Sequence, residues 1–468
     1  MAEKTTTKPP KGTRDFLPED VRRREYVTRI IRDVYEAHGF EPLETPTFER
    51  LETLLGKYGE EGDQLVFKIL HRGEPLVTGI REASAHIQSP SGIVTGRSGE
   101  TAPGAEKMLA DMGLRYDLTV PLARVYAEYQ AKLGAMWKRY QIQPVWRADT
   151  PGKGRFREFY QCDVDVVGSN ELVVEAEVIG AVSECMLRLG FTDFQIQINH
   201  RALLRTFIEI AGIDRHQEGE AIVAIDKLDK IQESGVRKEL EQKGITGPQQ
   251  DKLLAFVLSP DDAEARVCAL LEGHEAGMKA LRDVQRVREL SDLTPARGHV
   301  RFNTSLARGL GYYTGCIFEL AVKDLAGSLG GGGRYDNLIG MFLGRDVPAC
   351  GFSLGLERIL VVMEERGMFP ARTGGAEVVV AGVEAEAMED ALAIAYELRK
   401  VGLRVELYSR PEKPGKVRKS ADERGIAHAV IVQPGKNESI NLWSRREPEK
   451  TSEMVPRTEL AARIRAQG

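Results

Sequence analysis

Scarcity narrows the field first. The 468-residue chain has five cysteines, at 162, 185, 268, 316 and 350, and no two are spaced as CxxC. Neither a zinc knuckle nor a disulfide framework follows, and a reducing cytosol fits such usage. No run approaches the ~18 apolar residues of a membrane span. The opening MAEKTTTKPPK lacks the apolar stretch of a secretory signal and reads as a short disordered lead-in. Positive charge is not in excess either. The net charge of -5 argues against a uniformly basic nucleic-acid binder, though not against a local basic patch.

What is present is ample core-forming material: 42% hydrophobic and 29% charged residues, as in a soluble globular protein of roughly two to four domains. The most informative stretch is Lys138 to Gly168. It reads as two strands joined by a tight turn at Thr150–Gly154. Alternation places Arg155, Arg157, Phe159, Gln161, Asp163 and Asp165 on one face of the second strand. On the first, Gln141, Gln143, Val145, Arg147 and Asp149 lie opposite Tyr140, Ile142 and Trp146. Between Lys138 and Glu158 there are six basic and two acidic residues. An Arg-lined face can hold a polyphosphate; a half-exposed sheet with solvated charges fits the same pattern.

Upstream, Pro18 opens a helix with apolar positions Val27, Ile30, Ile31, Val34 and Tyr35, closed by Gly39. Residues 40–49 are extended around Pro42 and Pro46. Leu65 to Leu70 is a strand, and Gly79 to Gly113 reads as a long surface loop. Leu114 to Val120 is a strand with Asp117 and Thr119 on one face, and a helix runs from Leu122 to Leu133. Downstream come a helix from Asn170 to Leu189, capped at Ser169 or Asn170, and a strand from Phe191 to Ile198. A charged helical insertion spans about 201–293. Strands then resume around Arg308–Gly315 and the glycine run Gly330–Gly333, which permits close backbone approach. After a linker at Phe369–Gly375 the pattern becomes βαβαβ, implying a small α/β domain over 374–468 with parallel pairing.

Four blocks together resemble the histidyl-tRNA synthetase family of class II aminoacyl-tRNA synthetases. Phe40–Arg50, with Pro46, looks like the dimer-forming first class motif. Trp146–Asp149 with Gly154–Gln161 resembles the second, and Gly351–Arg358 the third. Arg308-Gly-Leu-Gly-Tyr-Tyr-Thr-Gly315 is similar to the histidine-specific block. Lys11–Pro18 and Gly332–Leu338 are further familiar segments. The resemblance implies an α+β fold: an antiparallel-sheet catalytic domain (1–373) carrying the insertion, and a C-terminal α/β anticodon-binding domain (374–468).

It also implies an ATP-dependent ligase joining L-histidine to the 3′ end of tRNA(His), a cytoplasmic homodimer with Mg²⁺ accompanying ATP. Arg308 and Arg147 would be catalytic, because negative charge builds on the α-phosphate and fixed cations stabilise it. Arg147, Asp149, Arg155, Arg157 and Arg358 would bind ATP. Asp117, Thr119 and Gln161 would hold the α-ammonium; Asp165 and Tyr313, with Tyr312 beside them, would read the imidazole. No protein metal site is implied. Gly311 departs from the family's usual Asp, and Asp149 stands where Glu is also common. The basic helix carrying Lys413, Lys416, Arg418, Lys419 and Arg424 would touch RNA backbone. A non-catalytic paralogue, such as the regulatory subunit that partners a phosphoribosyltransferase, is the rival; it typically lacks the RNA-binding domain and loses the ATP-contacting arginines.

Overall fold

The computed structural model describes residues 6–88, 108–259, 264–308, 311–325, 327–370, 373–436, 438–446 and 452–466. The chain divides into two compact units, one of residues 1–17 and 24–368, the other of 18–23 and 369–468.

The first unit is built on an eight-stranded sheet. Its strands are β1 (Glu41–Pro42), β5 (Trp137–Trp146), β6 (Glu158–Val167), β7 (Gln195–His200), β8 (Val300–Phe302), β9 (Cys316–Ala321), β10 (Gly330–Arg334) and β11 (Ala349–Gly355). Strands β2 (Phe48–Arg50), β3 (Lys68–Leu70) and β4 (Ala110–Leu114) form a separate small sheet. The large sheet has the order β1-β5-β6-β11-β10-β9-β7-β8. Its interior pairs are antiparallel; only the edge pairs β1–β5 and β7–β8 run parallel. The α+β, antiparallel-rich architecture expected from the sequence is therefore present.

One face of this sheet is covered by the Val173–Arg188 helix, most of whose residues are buried. The Pro18–Ala37 helix buries Val27, Ile31, Val34 and Tyr35, as its helical spacing predicts. Residues 201–291 are dominated by helices, from Arg201–Ile210 through Glu218–Asp226, Leu228–Gln242 and Gly247–Val257 to Glu275–Ser291.

The glycine run explains the sheet's centre. A Cβ at Gly332 would lie 2.0 Å from the carbonyl oxygen of Gly351, and one at Gly330 2.4 Å from that of Ser353. Only glycine lets β10 approach β11 this closely.

Several local readings change. The hairpin strands end at Trp146 and restart at Glu158, so residues 147–157 form a long loop rather than a tight turn. A bridge between Gly152 and Arg155 tightens its tip, and the Arg147 N–H donates to the Arg157 carbonyl at 2.9 Å across its base. The stretch read as a 79–113 loop begins inside a helix, Glu74–Gln88, and ends in β4; residues 89–107 lie outside the described residues. The strand expected over 114–120 stops at Leu114, and a helix, Thr119–Leu133, starts early. Pro121 falls in its first turn, where the missing N–H costs nothing. Asp117 Oδ1 accepts from the Val120 N–H at 3.0 Å and fixes that start. The helix expected from Asn170 begins at Val173, because Ser169 Oγ instead accepts from the Glu171 N–H.

In the second unit, β12 (Val378–Gly382) lies between β13 (Val405–Leu407) and β14 (His428–Val432) in parallel, crossed over by the Met388–Lys400 and Pro414–Glu423 helices. Beyond the βαβαβ reading, β15 (Ser439–Ser444) and β16 (Glu453–Pro456) extend the sheet antiparallel.

Candidate active site

The hairpin β5–β6 and the strands β9, β10 and β11 beside it form the floor of a cavity of about 700 Å³. It is lined by Asp117, Thr119, Arg147, Asp149, Arg155, Gln161, Asp165, Arg308, Tyr312, Tyr313 and Arg358. Of the residues singled out in the sequence, Arg157 alone is not brought to the cavity wall. Its main-chain N–H donates to the Gly12 carbonyl at 2.8 Å and its Nε to the Asp149 carbonyl at 3.1 Å. Arg157 therefore braces the loop that carries Asp149. Arg155 stays at the cavity and donates to Asp149 Oδ1 at 2.7 Å.

Arg147 and Arg358 are held by backbone carbonyls and, for Arg147, an aromatic ring. Arg147 Nε donates to the Tyr116 carbonyl at 3.0 Å, and its guanidinium lies 4.2 Å from the Tyr116 ring centre. Arg358 donates to the Ser328 carbonyl. Burial, then the neighbouring Arg155, lower Arg358's pKa; a second cation nearby disfavours its charge until an anion arrives.

Arg308 has a left-handed backbone, φ +47°, uncommon for a residue with a side chain. Arg201 Nη1 donates to its carbonyl at 3.2 Å and helps hold that conformation. Arg308 Nη1 in turn donates to the Phe318 carbonyl at 3.1 Å and lies 3.6 Å from Glu319. Burial pulls its pKa down, but Tyr313 and Glu319 outweigh that and hold it above the usual value. The guanidinium crosses directly over β10: a Cβ on Gly331 would sit 1.6 Å from Arg308 Nη1. Gly331 is thus the seat of Arg308.

Acidic groups gather deeper. Asp165 on β6 accepts from the Tyr335 hydroxyl and pairs with Arg139 Nη2 at 2.9 Å. Arg139 is fully buried on β5, directly opposite Asp165 in register, and lies 3.9 Å from Asp163. Burial raises the pKa of Asp117, Asp163 and Asp165, and Arg139 opposes the rise in Asp163 and Asp165. A Cβ at Gly351 would fall 1.8 Å from Asp165 Oδ1, so glycine there makes room for this carboxylate. Asp117 accepts from the Tyr58 hydroxyl at 3.1 Å, and Gln161 Nε2 donates to Ser353 Oγ at 2.7 Å. Tyr312 and Tyr313 stand side by side, ring centres 4.9 Å apart, with hydroxyls kept protonated by burial.

The sequence reading missed Arg139, Tyr335, Ser353 and Tyr58. Arg139 carried a usable signal: counting back from Arg147 along β5 puts it on the polar face. The other three reach the site by tertiary packing. Asp226 and Lys230 also line the cavity, brought from the helical segment.

Gly311 is exposed, and a Cβ there meets nothing within 4 Å. Its loss of a carboxylate leaves no hole behind the tyrosines. In the second unit the basic helix is less free than its sequence suggests. Arg424 pairs with Glu406, Lys416 with Glu412 at 3.0 Å and Lys419 with Glu423 at 3.8 Å. Such exposed pairs are weak and open readily to a phosphate.

A family model described as histidyl-tRNA synthetase matches residues 12–82 and 106–359, and one described as an anticodon binding domain matches 377–467. The histidine–tRNA ligase of Christiangramia forsetii is 42% identical over 439 residues, covering 92% of this chain and 93% of that protein. That of Gloeobacter violaceus is 41% identical over 455 residues, covering 90% and 91%. The crystal structure of histidyl-tRNA synthetase from Nostoc sp. PCC 7120 superposes with a TM-score of 0.78 at 28% identity, covering 99% of this chain and all of that one. The fold is that of a class II aminoacyl-tRNA synthetase. Within that class, the chain belongs to the histidyl-tRNA synthetase family. Its activity is the ligation of histidine to tRNA, with ATP as the family's energy source. Among the described residues no helix is long and apolar enough to cross a membrane.

Proposed function

We propose that histidine and ATP react in the cavity between β6, β10 and Arg308, with Arg308 and Arg147 as the catalytic residues. The observation that carries this is that one cavity is lined by four arginines, Arg147, Arg155, Arg308 and Arg358, together with the buried carboxylates Asp117, Asp163 and Asp165. Histidine enters with its ammonium towards Asp117, Thr119 and Gln161. Its ring meets Asp165 and Tyr313, with Tyr312 beside them. A hydroxyl kept protonated and a carboxylate offer one donor and one acceptor, the complement of a neutral imidazole.

The ATP triphosphate lies along Arg147, Arg155 and Arg358, and Asp149 orients Arg155. Arg157 acts through the Asp149 loop rather than by direct contact. A carboxylate oxygen of histidine attacks the α-phosphorus as the bond to pyrophosphate breaks. Arg308 and Arg147 stabilise the charge on the non-bridging oxygens, a term of ~3–4 kcal/mol per well-placed donor. A ribose hydroxyl at the tRNA 3′ end then attacks the histidyl carbonyl and AMP leaves, its proton passing to solvent or phosphate.

Mg²⁺ belongs to this account as part of the substrate, carried by ATP. Among the described residues no group of three His, Cys, Asp or Glu could hold a metal ion. An ion that keeps its waters and phosphate ligands needs few from protein.

In the same reading residues 1–373 perform catalysis, with 201–293 as an insertion, and 374–468 bind the tRNA(His) anticodon. The chain works as a cytoplasmic homodimer joined through the Phe40–Arg50 segment. Retention of both the arginines and the matched anticodon-binding region disfavours the non-catalytic paralogue. Histidine-dependent ATP–pyrophosphate exchange, followed by charging of tRNA(His), is the test. Exchange driven by histidine alone among the amino acids supports the assignment; no exchange with histidine refutes it.

A further inference from the structure

Four acceptor oxygens in the cavity are buried without a hydrogen-bond donor: Asp117 Oδ2, Gln161 Oε1, Asp163 Oδ1 and Asp165 Oδ2, the last of which is ion-paired with Arg139 Nη2 at 2.9 Å. Leaving such groups unpaired costs ~1–3 kcal/mol each. An ammonium group has three N–H donors and no acceptor. Asp117, Thr119 and Gln161 already stand around the ammonium, whereas Asp163 has no role. We propose that Asp163 is a second carboxylate ligand of the histidine α-ammonium beside Asp117, a further specificity-determining residue for this substrate. This rests on the placement of histidine in the cavity given above.

The surroundings of Asp163 fit that role. It is 2% exposed and lies between Gln161 and Asp165 on one face of β6. Opposite it in register are Gln141 on β5 and Ser353 on β11. Ser353 Oγ accepts from Gln161 Nε2 at 2.7 Å, and its interaction with Asp163 lowers the pKa of that carboxyl against the rise from burial. Arg139 lies nearer to Asp165, at 2.9 Å, than to Asp163, at 3.9 Å. Its one positive charge serves mainly Asp165 and leaves Asp163 in need of a cation.

The charged and titratable groups facing Asp163 are Arg139, Asp165, Asp117 and, from the first helix, Tyr35. Desolvation by burial raises its pKa to about 7, with Arg139 opposing and Asp165 adding. In the empty site it therefore holds a proton for much of the time near neutrality. An arriving ammonium favours the carboxylate, so binding expels that proton to solvent.

The test compares ligands with and without the group in question. Histidine and imidazolepropionate differ only in the ammonium, and histidinol keeps the ammonium without the carboxylate. Asp163→Asn in the full-length protein is expected to weaken histidine and histidinol binding about tenfold or more. Imidazolepropionate and ATP affinities should stay within about twofold. Equal losses for both imidazole ligands, or no loss for either, overturn the proposal. Asp117→Asn separates this from the underlying reading: if it too leaves histidine affinity unchanged, the placement of histidine in the cavity fails as well.

A second measurement cancels the titration of the ligand's own ring. Calorimetry at pH 7, in buffers of different ionisation enthalpy, should show the wild type releasing about half a proton more than Asp163→Asn on binding histidinol. Equal proton counts for the two proteins contradict the assignment.

Discussion

Replacing Gly331 by alanine should disable activation while leaving the protein folded. The new Cβ would lie 1.6 Å from Arg308 Nη1 and 2.4 Å from Cζ. Carbon contacts settle at ~3.5–4.0 Å, so the guanidinium must move by about 2 Å. That movement takes it away from the Phe318 carbonyl and from the position assigned to the reacting α-phosphate. A misplacement of ~1 Å can cost 10²-fold in rate, and loss of one charge-stabilising donor ~10²–10³-fold.

The folding cost is small by comparison. The φ of Gly331 is outside the left-handed region, so alanine adopts the backbone without strain. What yields is the end of a long side chain. Loss of one hydrogen bond costs ~0.5–1.5 kcal/mol. Reduced unfolded-state entropy returns ~0.4–1 kcal/mol. Gly332→Ala is the control. Its Cβ would meet the Gly351 carbonyl at 2.0 Å, and main chain in a sheet cannot step aside. Overpacking there should cost ~1–3 kcal/mol and lower Tm by several degrees. Histidine-dependent pyrophosphate exchange and thermal melts, on both variants, decide the matter. Wild-type exchange by Gly331→Ala, or activity lost only in step with lost folded protein, would refute the reasoning.

Other outcomes follow from the same geometry. Asp163 has a folded pKa above its unfolded value, so the folded state binds the extra proton and stability falls as pH rises from about 4 to about 7. Asp163→Asn should therefore melt higher than the wild type at pH 8, and the gap should close towards pH 4; a constant gap contradicts the burial argument. Gly311→Asp enters open space, so its stability should change by less than ~0.5 kcal/mol and its histidine KM by little. A large change in either would mean that position 311 contacts something the cavity geometry lacks. Lys416→Ala with Lys419→Ala should raise the KM for tRNA and flatten its salt dependence, with pyrophosphate exchange unchanged. An unaltered salt slope would return that helix to a solvated face.

The hairpin shows how far sequence reasoning reaches. Period-two alternation was enough to place Gln161, Asp163 and Asp165 on one face of β6, because a strand has only two faces. Arg308 and the tyrosines were legible only as a motif, since nothing local in their sequence says that they return to β6. Cross-strand register was the first thing lost. Arg139 faces Asp165 only because the loop at 147–157 sets the pairing, and that loop is longer than its turn residues suggest. Thr119 reached the cavity by a different route from the strand expected there, at the start of a helix that Asp117 caps. Tyr335 and Ser353 are polar groups in apolar or glycine-rich stretches, and only packing gives them partners.

The most direct test of the account is Arg308→Ala in histidine-dependent ATP–pyrophosphate exchange. The account predicts a fall of ~10²–10³-fold in kcat with the KM for histidine changed only slightly, because Arg308 serves the transition state rather than the ammonium or the ring. Exchange at near wild-type rate would contradict it.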